Sequence, residues 1–227
     1  TLVFVMSDLD LGMNTWMSPT FQYPDRPLDR GKRLDEATLK GLTLERKVGQ
    51  MLVEQMRGEY VAEGSPQLER WLRLAREHGI GGFVVYGGAP HDTARLLNRL
   101  QREAELPLLI AADFEGGPGQ QIAGASEFPP NMALSAVGSE ELAYAVGRVG
   151  AVEGRAMGIH LTYSPVVDVQ TRPDNPVLGG RSFGADVEQL GRLVQVRCDQ
   201  GRKRDEPFAD GDDRVPRQED IPARGHH

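Results

Sequence analysis

Apolar and polar positions along this 227-residue chain follow two rhythms that take turns. Three runs, Ile80-Gly81-Gly82-Phe83-Val84-Val85-Tyr86, Leu108-Leu109-Ile110-Ala111-Ala112 and Ser164-Pro165-Val166-Val167-Asp168-Val169, are apolar without period-2 alternation. They predict strands buried on both faces, as a parallel sheet requires. Between the runs the period lengthens. Leu68, Trp71, Leu72 and Ala75 recur at i, i+3, i+4 and i+7, which predicts an amphipathic helix closed by Gly79. Asp92 is placed to cap a second helix carrying Leu96, Leu97, Leu100 and Ala104 and stopped by Pro107. Ser139 caps a third, with Leu142, Val146 and Val149 inside and Gly158 at its end. A fourth runs from Asp186 with Val187, Leu190 and Val194. Thr43 is an N-cap for an earlier helix with Glu45 in its first turn. That helix runs into Val48 to Val53, where the pattern leaves helix end and first strand undivided.

Alternating strands and helices mean βαβ units and a parallel sheet. The loops after strands, such as Gly124 to Pro130 and Thr171 to Phe183, are long and polar, while those before strands are short. A barrel with a working C-terminal face shows that asymmetry. A doubly wound sheet would alternate similarly, but no G-x-G-x-x-G follows a strand here. The fold class is therefore α/β. The ends differ from the middle. Residues 1–41, with Pro19, Pro24 and Pro27, read as an irregular arm ahead of the domain at 42–198. About half of residues 199–227 are charged, and Pro207, Pro216 and Pro222 break any periodicity. Such a tail cannot bury enough surface to offset its ordering entropy, so disorder is expected there.

Totals narrow the function. A net charge of −7 argues against nucleic acid, which needs a basic face. One cysteine, Cys198, rules out an internal disulfide framework and a cysteine-based metal cage. No apolar run approaches the roughly 20 residues of a membrane span. The apolar start, Thr1 to Met6, lacks a basic n-region and makes a poor signal peptide, so a cytoplasmic location is expected. His78, His91 and His160 are too scattered for a metal triad, and neither a metal nor an organic cofactor is expected.

The chemistry collects at strand ends. The Leu108 run delivers Asp113-Phe114-Glu115-Gly116-Gly117, two carboxylates followed by two glycines, and another run ends at Asp168. Glu115 shares a face with Asp113 at i, i+2 if the strand continues. Two carboxylate-tipped buried strands suggest an enzyme cleft more than a binding module.

Several stretches in order carry a family likeness: Leu44-Glu45-Arg46-Lys47-Val48-Gly49-Gln50-Met51, Gly79-Ile80-Gly81-Gly82-Phe83 and Ala112-Asp113-Phe114-Glu115-Gly116-Gly117. Phe128-Pro129-Pro130-Asn131-Met132-Ala133-Leu134, Ser164 to Val169 and Arg181-Ser182-Phe183-Gly184 continue it. From about Leu42 to Val196 the chain resembles the N-terminal barrel domain of glycoside hydrolase family 3. Asn175-Pro176-Val177 ahead of Arg181 resembles the bacterial β-N-acetylglucosaminidase branch. The resemblance implies a (β/α)8 barrel, of which about four βα units are present, hence a partial TIM barrel. It also implies a retaining exo-glycosidase acting on GlcNAc-terminated glycans, through an Asp nucleophile and a covalent glycosyl intermediate. Asp113 matches the family aspartate that hydrogen-bonds sugar hydroxyls in the −1 subsite, and Arg181 matches the arginine that also contacts the sugar. A loop-capping Asp and a surface ion pair are the plainer roles for these two. Asp168 is placed to support Arg181 or a bound hydroxyl. An acid–nucleophile pair of Asp113 and Glu115 is set aside, because the family places its nucleophile elsewhere. Gln121 stands where relatives commonly have Arg or Lys.

The branch's acid/base histidine follows a Lys-His-Phe-Pro-Gly-His-Gly segment beyond the position of Cys198, and its nucleophile lies further on. Neither occurs here, so no catalytic residue is assigned and this chain alone is expected to be inactive. Codons for Val215-Pro216-Arg217-Gln218 can read Phe-Pro-Gly when shifted by one base, which suggests a truncated or frame-shifted copy; a genuine divergent tail is the alternative. A β-glucosidase of the same family and a non-catalytic, vestigial sugar-binding protein are the other functional readings.

Overall fold

The computed structural model describes residues 4–5 and 36–198; most of the expected arm, and the expected disordered tail, lie outside them. Within the arm, β1 is the two-residue strand Phe4–Val5 and helix α1 is Glu36–Gly41. Helix α2, Leu44–Gln50, starts where Thr43 accepts a hydrogen bond from the Arg46 backbone N–H at 3.3 Å. Strand β2, Val53–Gly58, follows directly, which divides the segment the apolar pattern left open.

The βα alternation then runs as expected. Helix α3 is Pro66–Arg76, capped by Ser65 and buried through Leu68, Trp71, Leu72 and Ala75, the four positions of the predicted stripe. Strand β3 is Gly82–Gly88 and helix α4 is Pro90–Glu103. Its N-cap is Ala89, with no side-chain capping bond, so Asp92 is not the cap expected. Pro90 at the first helical position moves the start forward, and Asp92 falls inside the first turn. Strand β4 is Leu109–Ala112. A helix the pattern did not show, α5, spans Asn131–Val137. Helix α6, Glu140–Ala156, is capped by Ser139 as expected.

Strand β5 is only Leu161–Thr162. The run Ser164 to Val169, expected to be a strand, is not one. Tyr163 N–H still donates to Ala112 O at 3.1 Å, but Pro165 has no N–H to extend the ladder. Helix α7, Val187–Cys198, begins where Asp186 accepts from the Glu188 and Gln189 backbone N–H groups at 3.0 Å each.

The sheet has the order β1-β5-β4-β3-β2, with β2 to β5 parallel and β1 antiparallel on the outer edge of β5. Close approach of the strands has a cost in side-chain space. A Cβ on Gly82 would collide with the Leu109 carbonyl. Two apolar clusters result. Phe83, Val85, Ile110 and Ala112 point into one with Trp71, Leu72, Leu97 and Leu100 of α3 and α4. Leu134, Ala143, Val146, Phe183, Leu190 and Leu193 make a second among α5, α6 and α7. Fully burying each large apolar side chain stabilises by roughly 1.5–3 kcal/mol. On the opposite face of β3, Val84 and Tyr86 are only half-buried, because the described sheet is open with β2 at its edge.

His160, just ahead of β5, is a junction rather than a site. Its Nδ1 accepts from the Ile110 N–H at 3.1 Å, and burial pushes its pKa down to about 3. That bond gives the ring a structural role.

Candidate functional site

All the predicted site residues fall beyond the C-terminal ends of β4 and β5. Asp113 leaves β4 directly, and its Oδ2 accepts from the Tyr86 hydroxyl at 3.3 Å across the neighbouring strand. Burial first, and the Glu115 carboxylate second, raise the Asp113 pKa against the opposing pull of Tyr86 and Arg181. Tyr86 is raised in turn, mainly by burial and by Asp113.

Glu115, two residues on, meets Arg181 in a fork. Arg181 Nε donates to Oε2 at 2.7 Å and its NH2 group donates to Oε1 at 2.6 Å. Bidentate geometry of this kind fixes orientation as well as charge. The Glu115 side chain is 13% exposed and that of Arg181 50%, so the pair adds little to stability and much to shape. Its hydrogen bond to Glu115 is the largest cause raising the Arg181 pKa. The third nitrogen of Arg181 donates to the Val177 carbonyl at 3.2 Å, and Asn175 accepts from the Val177 and Leu178 N–H groups at 2.9 and 3.1 Å. The loop that presents Arg181 is thereby braced on itself.

Glu115 makes the side-chain hydrogen bonds that hold Arg181, and Asp168 acts on it through its charge. The Asp168 side chain is exposed and lies near enough to help hold Arg181 charged, while its backbone carbonyl accepts from Ser182 Oγ at 2.6 Å. Between Glu115, Asp168 and Arg181 on the polar side and Tyr163 and Pro165 on the other lies an open cavity of about 240 Å³. Small-molecule sites usually measure roughly 300–1,000 Å³, so this one suits a single small ring. Asp113 stands beside that cavity without lining it.

The Asp113–Gly117 turn packs so closely that Gly117 leaves no room for a side chain. Gly117 has φ +92°, and a Cβ there would meet Phe128 and the Ser126 carbonyl at 2.7 Å each. Phe128 N–H donates to Gly116 O at 2.7 Å, and Glu153 of α6 holds Ser126 through its backbone N–H and hydroxyl at 2.9 and 2.6 Å. The glycines thus form the turn. Sequence reasoning missed Glu115 as the partner of Arg181, although its i, i+2 spacing from Asp113 was visible. It also missed Arg197, which donates to the Glu115 carbonyl, and Asn131, which donates to the Arg181 carbonyl.

Residues 43–203 match the Glycosyl hydrolase family 3 N terminal domain. The chain belongs to glycoside hydrolase family 3. A relative from Cellulomonas fimi, a β-N-acetylglucosaminidase/β-glucosidase, is 38% identical over 120 residues, which cover 53% of this chain and 21% of that protein. A β-hexosaminidase from Tolumonas auensis is 35% identical over 132 residues, covering 56% of this chain and 39% of its own length. Among solved structures, the family 3 β-N-acetylglucosaminidase from Paenibacillus sp. FPU-7 superposes with a TM-score of 0.62 at 34% identity, over 69% of this chain and 30% of that one. The chain thus spans between about a fifth and two fifths of these relatives. The parallel sheet is part of the family 3 barrel, the α/β fold class that the apolar runs and the family likeness implied. No described helix is long and apolar enough to cross a membrane.

Proposed function

We propose that residues 42–198 are the sugar-recognising part of a family 3 retaining exo-β-N-acetylglucosaminidase, acting on GlcNAc-terminated glycans such as cell-wall fragments or chitooligosaccharides. The observation that carries this reading is the Glu115–Arg181 fork beside Asp113, at the end of a barrel-type strand. In this reading Asp113 and Arg181 contact hydroxyls of the −1 sugar and Asp168 supports the far side of the cavity. A carboxylate accepts bidentately from vicinal hydroxyls, and a guanidinium donates to ring substituents, so the pair suits a sugar's alternating donors and acceptors. A raised Asp113 pKa fits a group that waits half-desolvated for such partners.

The chain by itself binds without turning over. Family 3 chemistry needs an Asp nucleophile and an acid/base, and the Lys-His-Phe-Pro-Gly-His-Gly segment that precedes the branch's acid/base does not occur in the 227 residues. A β-glucosidase is the second reading, favoured by the double name of the Cellulomonas relative. Titration of the whole chain with GlcNAc and with glucose decides between them. Preference for GlcNAc supports the first reading, preference for glucose the second, and binding of neither refutes both. Asp113→Ala should weaken the preferred sugar at least tenfold, since a charged hydrogen bond contributes roughly 1.5–3 kcal/mol. Hydrolysis of p-nitrophenyl N-acetyl-β-glucosaminide by the purified chain, with contaminants excluded, would overturn the binding-only part.

A further inference from the structure

Arg197 sits where an apolar residue belongs. In α7 the buried stripe runs Leu190, Leu193 and then Arg197, the next position on the same face, and Arg197 is 7% exposed. Burying a guanidinium is costly unless its donors are satisfied. Here they reach three separate acceptors. One terminal nitrogen donates to the Asn131 side-chain oxygen; the other donates to the Phe114 carbonyl at 3.3 Å and the Glu115 carbonyl at 2.7 Å. Asn131, 1% exposed, passes the connection on, donating through Nδ2 to the Arg181 carbonyl at 2.7 Å.

One buried cation therefore ties the backbone under Glu115 to the backbone under Arg181. These two residues come from segments 66 positions apart, and their side chains must meet at 2.6–2.7 Å to close the fork. The shared scaffold of apolar packing cannot set that register, because dispersion is non-directional and the fork is not. We propose that Arg197 is a positioning residue: through Asn131 and the Glu115 carbonyl it sets the register in which Glu115 grips Arg181. Its consequence for sugar recognition rests on the function proposed above; its effect on the fork does not. Lysine is a poor substitute, since a single ammonium cannot span acceptors on two segments with the planar geometry of a guanidinium.

The test uses the whole 15N-labelled chain and reads the Arg181 Nε–H resonance, assigned by its loss in Arg181→Lys, together with GlcNAc titration. Arg197→Met and Arg197→Lys are the variants. Both should keep the backbone amide pattern of β2 to β4. In Arg197→Met the Arg181 Nε–H should lose its distinct shift and exchange with water at least tenfold faster, and GlcNAc binding should weaken at least tenfold. Arg197→Lys should fall between that variant and the wild type. A folded Arg197→Met with the Arg181 signal and exchange unchanged overturns the proposal. So does unfolding of both variants, which would assign Arg197 to stability alone. If the wild-type chain ignores GlcNAc while the Arg181 signal still responds to Arg197, the positioning role stands and the sugar-binding reading falls.

Discussion

The front of the molecule, β2 to β4 with α3 and α4, and the back, β5 to α7, are held together by different physics. In front, residues such as Phe83, Leu100 and Ile110 are fully buried in one continuous apolar cluster, and the strands pair along their whole length. At the back the pairing shrinks to two residues of β5, the apolar cluster is smaller, and order comes from side chains that bond to backbone. Ser182, Asn131 and Arg197 are each below 10% exposed and each bridges segments far apart in sequence. Non-directional burial builds the platform; directional polar bonds aim the residues that stand on it.

The comparison breaks first if the front is not the keystone. Phe83→Ala should cost about 3–5 kcal/mol, enough to unfold much of the population of a small domain. Urea denaturation followed by far-UV circular dichroism measures it. Phe183→Ala at the back removes the same ring from the smaller cluster. It should release α5 and α7 without releasing β3, so that hydrogen exchange speeds in α7 amides and stays slow in Val84 and Val85. Equal acceleration in both regions would show a single cooperative unit instead of two.

His160 tests the seam between the two halves. Its folded pKa is about 3 against an ordinary 6.5, because burial disfavours the charged ring. The unfolded chain therefore binds the proton more readily, and the stability this histidine supplies is complete above pH 6.5 and lost as pH falls towards 3. The slope is about 1.4 kcal/mol per pH unit for one proton. His160→Gln, which keeps an acceptor for the Ile110 N–H, should flatten stability between pH 6 and 4 while leaving neutral stability nearly unchanged. A wild-type profile without that slope would place the ring in contact with water.

What could be read from sequence divides along the same line. The α3 stripe, the Thr43, Ser139 and Asp186 caps, and the β3 and β4 runs were legible because each is a local pattern that burial or one nearby hydrogen bond enforces. Ser164 to Val169 misled because an apolar run does not show that a segment has a strand to pair with, and beyond Pro165 the segment is only half-buried or exposed. Asp113 and Arg181 were found through family motifs, and Glu115 was seen beside them but its partner was not. A fork spanning 66 positions leaves no periodic trace. Arg197 did leave one: a cation on an apolar stripe marks a position where packing has been given up for direction.

The smallest expected effect separates stability from recognition within one residue. Asp113 has a raised pKa, chiefly from burial and then from Glu115, so its charged form is less comfortable in the fold than in the unfolded chain. The folded state then holds the proton longer, and stability declines as pH rises through the window just above the ordinary carboxylate value of 3.8. Asp113→Asn removes that charge and keeps the shape and an oxygen for the Tyr86 hydroxyl. The variant should be slightly more stable than wild type at neutral pH, with the advantage shrinking as both are taken down to pH 3. Binding should move the other way, because a neutral amide is a weaker acceptor for sugar hydroxyls than a carboxylate. Thermal melts across pH, paired with GlcNAc titration at pH 7, read both. An Asn variant that is less stable at neutral pH would mean that Asp113 is held by the fold for its charge, as a structural anchor of the turn, and the site would then begin at Glu115.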